Sequence, residues 1–147
     1  MGVFKEALVR GKDILNYIPQ RPPIIMVDEL FYISQDSLES VSGLTIREDN
    51  IFCKDGVFCE GGLVEFIAQS AALRIGYIFI SRGASVPLGF IGSINDMNIE
   101  YLPEVGEHLI CNLKVEQEVF GIVLVRADIF SNEIKVASCK MKVAIKE

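Results

Sequence analysis

The sequence predicts an α+β domain in which one long central helix is wrapped by a curved, mainly antiparallel β-sheet. Three observations predict this fold class. The chain has a single long stretch with helical periodicity, at residues 62–82, and four long segments rich in valine and isoleucine follow it. Half of the 147 residues are hydrophobic. This suffices for one core, so we expect one domain over residues 1–147.

The segment before the long helix predicts a short helix and then a β-hairpin. Residues 12–17 form the candidate helix, and the Pro22-Pro23 pair prevents its continuation because proline lacks the backbone donor. Strands are predicted at residues 25–34 and 38–46. Turn-forming side chains separate them at residues 35–37, so the two strands are expected to pair.

The predicted helix at residues 62–82 is apolar over most of its surface, and Gly83 provides a stop. One stripe recurs at helical spacing and consists of Leu63, Phe66, Ile67, Ser70, Ala71, Arg74 and Ile75. A second set consists of the small residues Ala68, Ala71, Ala72 and Gly76. Small side chains on an apolar helix suit burial against a sheet, so we expect this helix to lie at the centre of the fold.

Four long strands are predicted after the helix, at residues 88–100, 107–120, 122–131 and 134–145. Turn-forming residues separate them. In the second of these segments, apolar side chains at 109, 111, 113 and 115 alternate with polar ones at 112, 114 and 116. Such alternation is typical of a strand with one buried face, so we expect a mainly antiparallel sheet.

Charge and hydropathy exclude several classes of partner. The chain carries 20 acidic and 14 basic residues, for a net charge of -6, which disfavours nucleic-acid binding through a basic face. No apolar run approaches the roughly 20 residues that cross a bilayer, and the first six residues do not resemble a signal peptide. We therefore expect no nucleic-acid or membrane partner and a cytoplasmic location.

The cysteines and the single histidine do not form a metal-binding pattern. Cys53, Cys59, Cys111 and Cys139 include no CxxC pair, and His108 is the only histidine. We therefore predict no metal site and no cofactor. Cys59 precedes the predicted helix, where a thiolate is favoured, but a nucleophilic role needs a neighbouring base. We interpret Cys59 as an ordinary buried cysteine and His108 as a solvated surface residue.

Three blocks of residues carry a family resemblance. They are Pro19-Gln20-Arg21-Pro22-Pro23 with Val27-Asp28, then Gly62-Leu63-Val64-Glu65-Phe66-Ile67-Ala68-Gln69, then Pro87-Leu88-Gly89-Phe90-Ile91-Gly92. In order and spacing the chain resembles the hotdog-fold 3-hydroxyacyl-[acyl-carrier-protein] dehydratases, and in particular the divergent branch associated with aryl-polyene-type biosynthesis. The resemblance covers nearly the whole chain and implies a hotdog fold. It also implies a homodimer, or a heterodimer with a related hotdog subunit, whose sites combine the opening loop of one chain with the central helix of the other.

The resemblance implies that a histidine in the opening motif and an acid on the helix dehydrate a (3R)-hydroxyacyl thioester. One removes the α-proton and the other helps the hydroxyl leave as water. Glu65 stands where the family has the acid, but Gln20 stands where it has the histidine. A carboxamide takes no proton at neutral pH, so an acid-base contribution of about 10²- to 10⁴-fold is expected to be lost. A structural interpretation of Glu65, as a first-turn glutamate that stabilises the helix dipole, stays open.

Six further residues of these motifs are predicted to bind the substrate, namely Arg21, Gly61, Gly62, Gln69, Phe90 and Gly92. Backbone N–H groups at Gly61 and Gly62 can polarise a thioester carbonyl, although the two glycines equally fit a flexible helix entry. Phe90 fits the wall of an acyl tunnel as well as it fits plain core.

The acyl group is expected to arrive on an acyl carrier protein or on coenzyme A. A carrier protein is acidic, so its docking needs a local basic rim. The candidates for this rim are Arg21, Lys54, Arg74 and Arg82, with scattered solvated charges as the alternative.

Three functions stay open from the sequence. The first is a 3-hydroxyacyl carrier-protein dehydratase of fatty-acid or polyene-type biosynthesis that works with Gln20 in place of histidine. The second is a non-catalytic partner subunit of an active dehydratase. The third is an acyl thioesterase in which Glu65 activates water, since some hotdog enzymes use a carboxylate in this way.

Overall fold

The computed structural model describes residues 6–146 and confirms the predicted fold class, with one long helix packed against a seven-stranded antiparallel sheet. The elements are β1 (Val9–Arg10), a 3-10 helix (Gly11–Asn16), β2 (Glu29–Ile33), β3 (Glu39–Thr45), β4 (Cys53–Lys54), β5 (Val57–Phe58), α1 (Glu60–Ser81), β6 (Leu88–Ile99), β7 (His108–Val119), β8 (Ile122–Ser131) and β9 (Ile134–Lys146). The strand order in the sheet is β1-β2-β3-β7-β8-β9-β6. This is the hotdog architecture that the resemblance implies.

The four strands after the helix agree with the predicted ranges to within one residue at each end. The alternation in β7 is visible as burial, since Leu109, Cys111, Leu113 and Val115 are all buried. β7, β8 and β9 pair antiparallel over most of their lengths. They form the centre of the sheet and supply most of its buried face.

The first predicted strand is shorter than expected. It begins at Glu29 instead of residue 25, and the backbone at Met26 is held by a side chain outside the ladder. The N–H of Met26 donates to Oε1 of Gln69 at 2.6 Å. The predicted hairpin does form between β2 and β3, and the predicted short helix is a 3-10 helix at Gly11–Asn16.

A small hairpin precedes α1 and was not predicted. In it β4 pairs with β5, with Cys53 opposite Phe58. Asp55 and Gly56 form the connecting turn, and both have positive φ, at 53° and 79°. An Asp-Gly pair with two positive φ angles is typical of a tight hairpin turn. The hairpin ends on the fully buried Phe58, next to the start of α1.

The side of α1 that faces the core is fully buried. Leu63, Phe66, Ile67 and Leu73 are fully buried. The Oγ of Ser70 donates to the carbonyl of Phe66 at 2.7 Å, so this buried hydroxyl has a partner within the helix. A Cβ at Gly76 would overlap the backbone carbonyl of Tyr17, so glycine is required where the 3-10 segment meets the helix.

One expectation about α1 was wrong. The sequence was expected to contain no run long enough for a bilayer, but the 22-residue helix α1 is long and apolar enough to span one. Half of this stretch is buried inside the domain. Burial against the sheet therefore accounts for the apolar character of α1.

Candidate active site

A cavity of about 280 Å³ lies between α1 and one end of the sheet. Helix residues Glu65, Ala68 and Ala72 line one side of it. Valines of β8 and β9 line the opposite side, namely Val123, Val125 and Val143. Its lining is mostly apolar, as expected for a site that accepts a hydrocarbon chain.

The small residues of α1 explain why the cavity exists. Ala68, Ala71 and Ala72 all line it, so the space that longer side chains would fill stays open. The same small-residue set was predicted to bury the helix against the sheet. Gly76 instead contacts the Tyr17 backbone outside the sheet, and the three alanines border the cavity.

Gln69 holds Glu65 from outside the cavity. Its Nε2 donates to Oε1 of Glu65 and to the carbonyl of Ile24, both at 2.8 Å. Its Oε1 accepts the hydrogen bond from Met26. Gln69 is fully buried and is absent from the cavity lining, so it connects the loop at residues 24–26 to the helix and orients the Glu65 carboxylate.

Gln20 lines the same cavity as Glu65, on the opening loop. Its carboxamide oxygen is buried and has no hydrogen-bond partner among residues 6–146. A buried polar atom without a partner costs about 1–3 kcal/mol, so this oxygen is suited to accept a hydrogen bond from a ligand. Arg21, the next residue, is exposed and donates from Nη1 to the carbonyls of Ile18 and Gln20 at 2.7 and 2.8 Å. It therefore braces the loop and does not line the cavity.

The structure brings three of the eight predicted site residues to the cavity, namely Glu65, Gln20 and Phe90. Gln69, Arg21, Gly61, Gly62 and Gly92 lie outside it. A Cβ at Gly62 would overlap the Phe58 ring, which gives this glycine a packing role. The resemblance implied that loop and helix come from different subunits, but Gln20 and Glu65 of one chain already share this cavity.

Arg74 requires a correction. It was predicted to belong to a basic rim for a carrier protein, but it is only 4% exposed and lines the cavity. Its Nε donates to the carbonyl of Ser37 at 2.7 Å. Burial lowers the pKa of Arg74, and the carboxylate of Glu118 acts in the opposite direction. The other three candidates for the rim, Arg21, Lys54 and Arg82, are exposed.

His108 and Cys59 both lie outside the cavity lining. His108 is exposed, as predicted. Its imidazole also contacts a neighbouring side chain, since its Nε2 lies 2.7 Å from Oε1 of Glu29. Cys59 is partly exposed instead of buried, and it occupies the N-cap position of α1. Within residues 6–146, no group of three or more His, Cys, Asp or Glu side chains is placed to hold a metal ion. Glu65 is therefore the only acidic group that this part of the chain brings to the cavity.

Among solved structures, two similarities describe the fold. The dehydratase heterocomplex ApeI:P from Xenorhabdus doucetiae matches with a TM-score of 0.84 and 14% identity, over 91% of this chain and 91% of that chain. A hypothetical thioesterase with coenzyme A from Streptococcus pneumoniae TIGR4 matches with a TM-score of 0.62 and 14% identity, over 80% of this chain and 84% of that one. At such identities the similarity shows the hotdog fold alone.

Sequence comparison identifies the family. No curated protein sequence matches the chain. The family model described as "ApeP-like: ApeP dehydratase" matches residues 12–147, which is most of the chain. The chain therefore belongs to the ApeP-like dehydratase family, in agreement with the resemblance of its three sequence blocks.

Proposed function

We propose that this chain is a dehydratase-type subunit acting on (3R)-3-hydroxyacyl thioesters in fatty-acid or polyene-type biosynthesis, with Gln20 in place of the usual histidine. One observation carries the proposal. Glu65 and Gln20 line one mostly apolar cavity, and the buried carboxamide oxygen of Gln20 has no partner among residues 6–146. The acyl carrier is an acyl carrier protein or coenzyme A.

The reaction requires two proton movements, and in this proposal Glu65 performs both. Its carboxylate takes the proton from the carbon next to the thioester carbonyl, and the resulting carboxylic acid returns a proton to the 3-hydroxyl. The carbon–oxygen bond breaks, water leaves, and a double bond forms between carbons 2 and 3. A single carboxyl group suffices if both atoms lie on the same side of the acyl chain.

Gln20 binds the hydroxyl in this scheme. Its carboxamide oxygen accepts a hydrogen bond from the 3-hydroxyl, which satisfies the buried oxygen and orients the leaving group towards Glu65. Because the carboxamide cannot transfer a proton, we expect turnover slower by about 10²- to 10⁴-fold than in a site with both groups.

The free edge of β6 supports a partner subunit. β6 is the last strand of the sheet and is 12 residues long. Leu88, Phe90, Ile91 and Ile94 on this strand are all exposed by 40% or more. A long exposed edge with apolar side chains is a template for strand pairing.

We infer that β6 pairs with the edge of a related hotdog subunit, and that the complex works in the cytoplasm. The fold relative ApeI:P, a dehydratase heterocomplex, is a precedent for a two-subunit dehydratase. The alternative is a homodimer through the same strand. A heterodimer allows the second subunit to supply the histidine that this chain lacks. This chain would then serve as the non-catalytic partner.

Mass spectrometry of the acyl group tests the reaction. The substrate is a (3R)-hydroxyacyl carrier protein, incubated with the chain alone and with a histidine-bearing hotdog partner. The variants are Glu65→Gln and Gln20→His, and Glu60→Gln is the matched control, because Glu60 is exposed in the first turn of α1 and outside the cavity.

The expected result is loss of one water, slowed by about 10²- to 10⁴-fold in Glu65→Gln, unchanged in Glu60→Gln and accelerated in Gln20→His. Release of free acid would replace the proposal with a thioesterase. Water loss that needs the partner and is insensitive to Glu65→Gln would leave this chain as the non-catalytic subunit. No water loss under any of these conditions would contradict the proposal.

A further inference from the structure

The cavity contains a cation that the dehydration scheme does not use. Arg74 lines the cavity and is only 4% exposed. The neighbouring lining is apolar and includes Ala71, Ile75 and Leu113. A guanidinium in such surroundings loses most of its hydration, so its donors need partners supplied by protein or ligand.

The protein provides few hydrogen-bond acceptors for the Arg74 guanidinium. A guanidinium has five N–H donors, and the structure gives Arg74 one hydrogen bond, from Nε to the carbonyl of Ser37. None of the ion pairs within residues 6–146 includes Arg74. Glu118 on β7 contributes favourable charge from outside contact distance. Within residues 6–146 the site therefore has spare donor capacity and a positive charge without a contact ion pair next to the cavity.

Arg74 and Glu65 mark two different depths along the cavity. They are nine residues apart on α1, which corresponds to about 13.5 Å along the helix axis and about two and a half turns, so they leave opposite sides of the helix and both reach the cavity. The reacting end of the acyl group lies at Glu65 under the proposed function. The distal end of an acyl chain of matching length then lies close to Arg74.

We propose that Arg74 selects acyl chains whose distal end carries an oxygen acceptor, a carboxylate or a carbonyl, over chains that end in a methyl group. The remaining guanidinium donors bind that oxygen, and a carboxylate also neutralises the buried charge. This inference rests on the proposed function, because it takes the orientation of the acyl chain from the position of Glu65.

The test is equilibrium binding of unreactive ligands. The probes are pantetheine thioethers in a series of matched chain lengths, ending in a methyl group, a methyl ketone or a carboxylate, titrated calorimetrically. Arg74→Met removes the charge with similar volume, and Arg74→Lys keeps the charge without the planar fork. Arg82→Met is the matched control, since Arg82 is exposed just beyond α1 and outside the cavity.

We expect the unmodified protein to bind the carboxylate-ended ligand at least about tenfold more tightly than the methyl-ended one, with the ketone between them. Arg74→Met should abolish or reverse this preference, Arg74→Lys should keep part of it, and Arg82→Met should keep all of it. Equal or tighter binding of the methyl-ended ligand to the unmodified protein would overturn the inference. So would a preference that survives Arg74→Met.

The two proposals fail separately. The preference of the unmodified protein requires no turnover and no variant, so it is measurable even if Arg74→Met does not fold. Carboxylate preference without any water loss would retain the role of Arg74 and reject the dehydratase. Water loss without any such preference would support the dehydratase and reject the role of Arg74.

Discussion

Small residues of α1 act in opposite ways where the helix is packed and where it borders the cavity. At the packed contacts, Gly62 and Gly76 allow close approach, because a Cβ there would overlap Phe58 or the carbonyl of Tyr17. On the cavity face, Ala68 and Ala72 leave space that no other side chain fills. Small residues of the same helix therefore contribute both to the packing of the fold and to the cavity of the site. Only the neighbouring elements decide which of the two a small residue serves.

Polar groups also differ between the packed contacts and the cavity, in how many hydrogen bonds the protein provides for them. Gln69 is fully buried, and both ends of its carboxamide are hydrogen-bonded within the protein. On the cavity side, the carboxamide oxygen of Gln20 has no partner in residues 6–146, and Arg74 has one hydrogen bond from five donors. Satisfied groups stabilise the fold, whereas unsatisfied groups beside a cavity favour ligand binding.

The largest effect is expected at the cavity face, from Glu65→Gln. The change removes the ionisable group but keeps an oxygen that accepts the hydrogen bond of Gln69. We expect water loss to slow by about 10²- to 10⁴-fold with an unchanged melting temperature. Single-turnover kinetics and thermal unfolding measure the two quantities. A comparable loss of rate in the exposed variant Glu60→Gln would contradict the assignment.

At the packed contacts, Gly76→Ala is expected to have a large effect on stability. Alanine is favoured over glycine in a helix by about 1 kcal/mol, but overpacking against Tyr17 costs up to about 3 kcal/mol, so we expect a net loss of about 2 kcal/mol. Urea denaturation measures the change in the free energy of unfolding. Gly61→Ala is the matched control, because a Cβ there meets only ordinary contacts at 3.7 Å, and it should not destabilise the protein.

A third prediction concerns the satisfied polar group, through Gln69→Leu. The leucine fills similar space but leaves the buried N–H of Met26 without its acceptor, which we expect to cost about 1.5 kcal/mol. The same change at the exposed Gln117 should stay within about 0.5 kcal/mol. Equal free energies of unfolding for the two variants would show that Gln69 does not hold the opening loop.

The smallest effect is expected from filling the cavity, through Ala72→Leu. Leucine is nearly as good a helix former as alanine, so we expect the free energy of unfolding to change by less than about 0.5 kcal/mol. Affinity for a hydroxyacyl thioether should fall by about tenfold, or about 1.4 kcal/mol, because the added side chain occupies ligand space. Calorimetric titration measures this, with the exposed Ala84→Leu as control. Unchanged affinity in Ala72→Leu would place the ligand elsewhere.

The strands after the helix were predictable because their alternation reflects one buried face, as in Leu109 to Val115. The β4–β5 hairpin was missed although Asp55-Gly56 is a strong turn signal, because two-residue strands carry no periodicity. Residues 25–28 were predicted as strand because they are apolar. The N–H of Met26 instead donates to Gln69, a partner on α1 that no local pattern reveals.

The sequence motifs predicted only part of the site. Glu65 and Gln20 meet in one cavity of a single chain, whereas the resemblance implies a site shared by two chains. The packing role of Gly62 depends on Phe58, a contact that spacing does not show. Burial of Arg74 had a signal, because it falls on the apolar stripe with Phe66 and Ser70 at intervals of four residues. The charge suggested a surface position, and the periodicity was the better guide.

The most direct test of the proposed site is a crystal structure with a bound (3R)-3-hydroxyacyl pantetheine thioether. We expect the 3-hydroxyl within about 3 Å of the Gln20 carboxamide oxygen, carbon 2 beside the Glu65 carboxylate, and the acyl chain along Ala68 and Ala72. A ligand bound outside this cavity, or one whose hydroxyl faces away from both side chains, would contradict it.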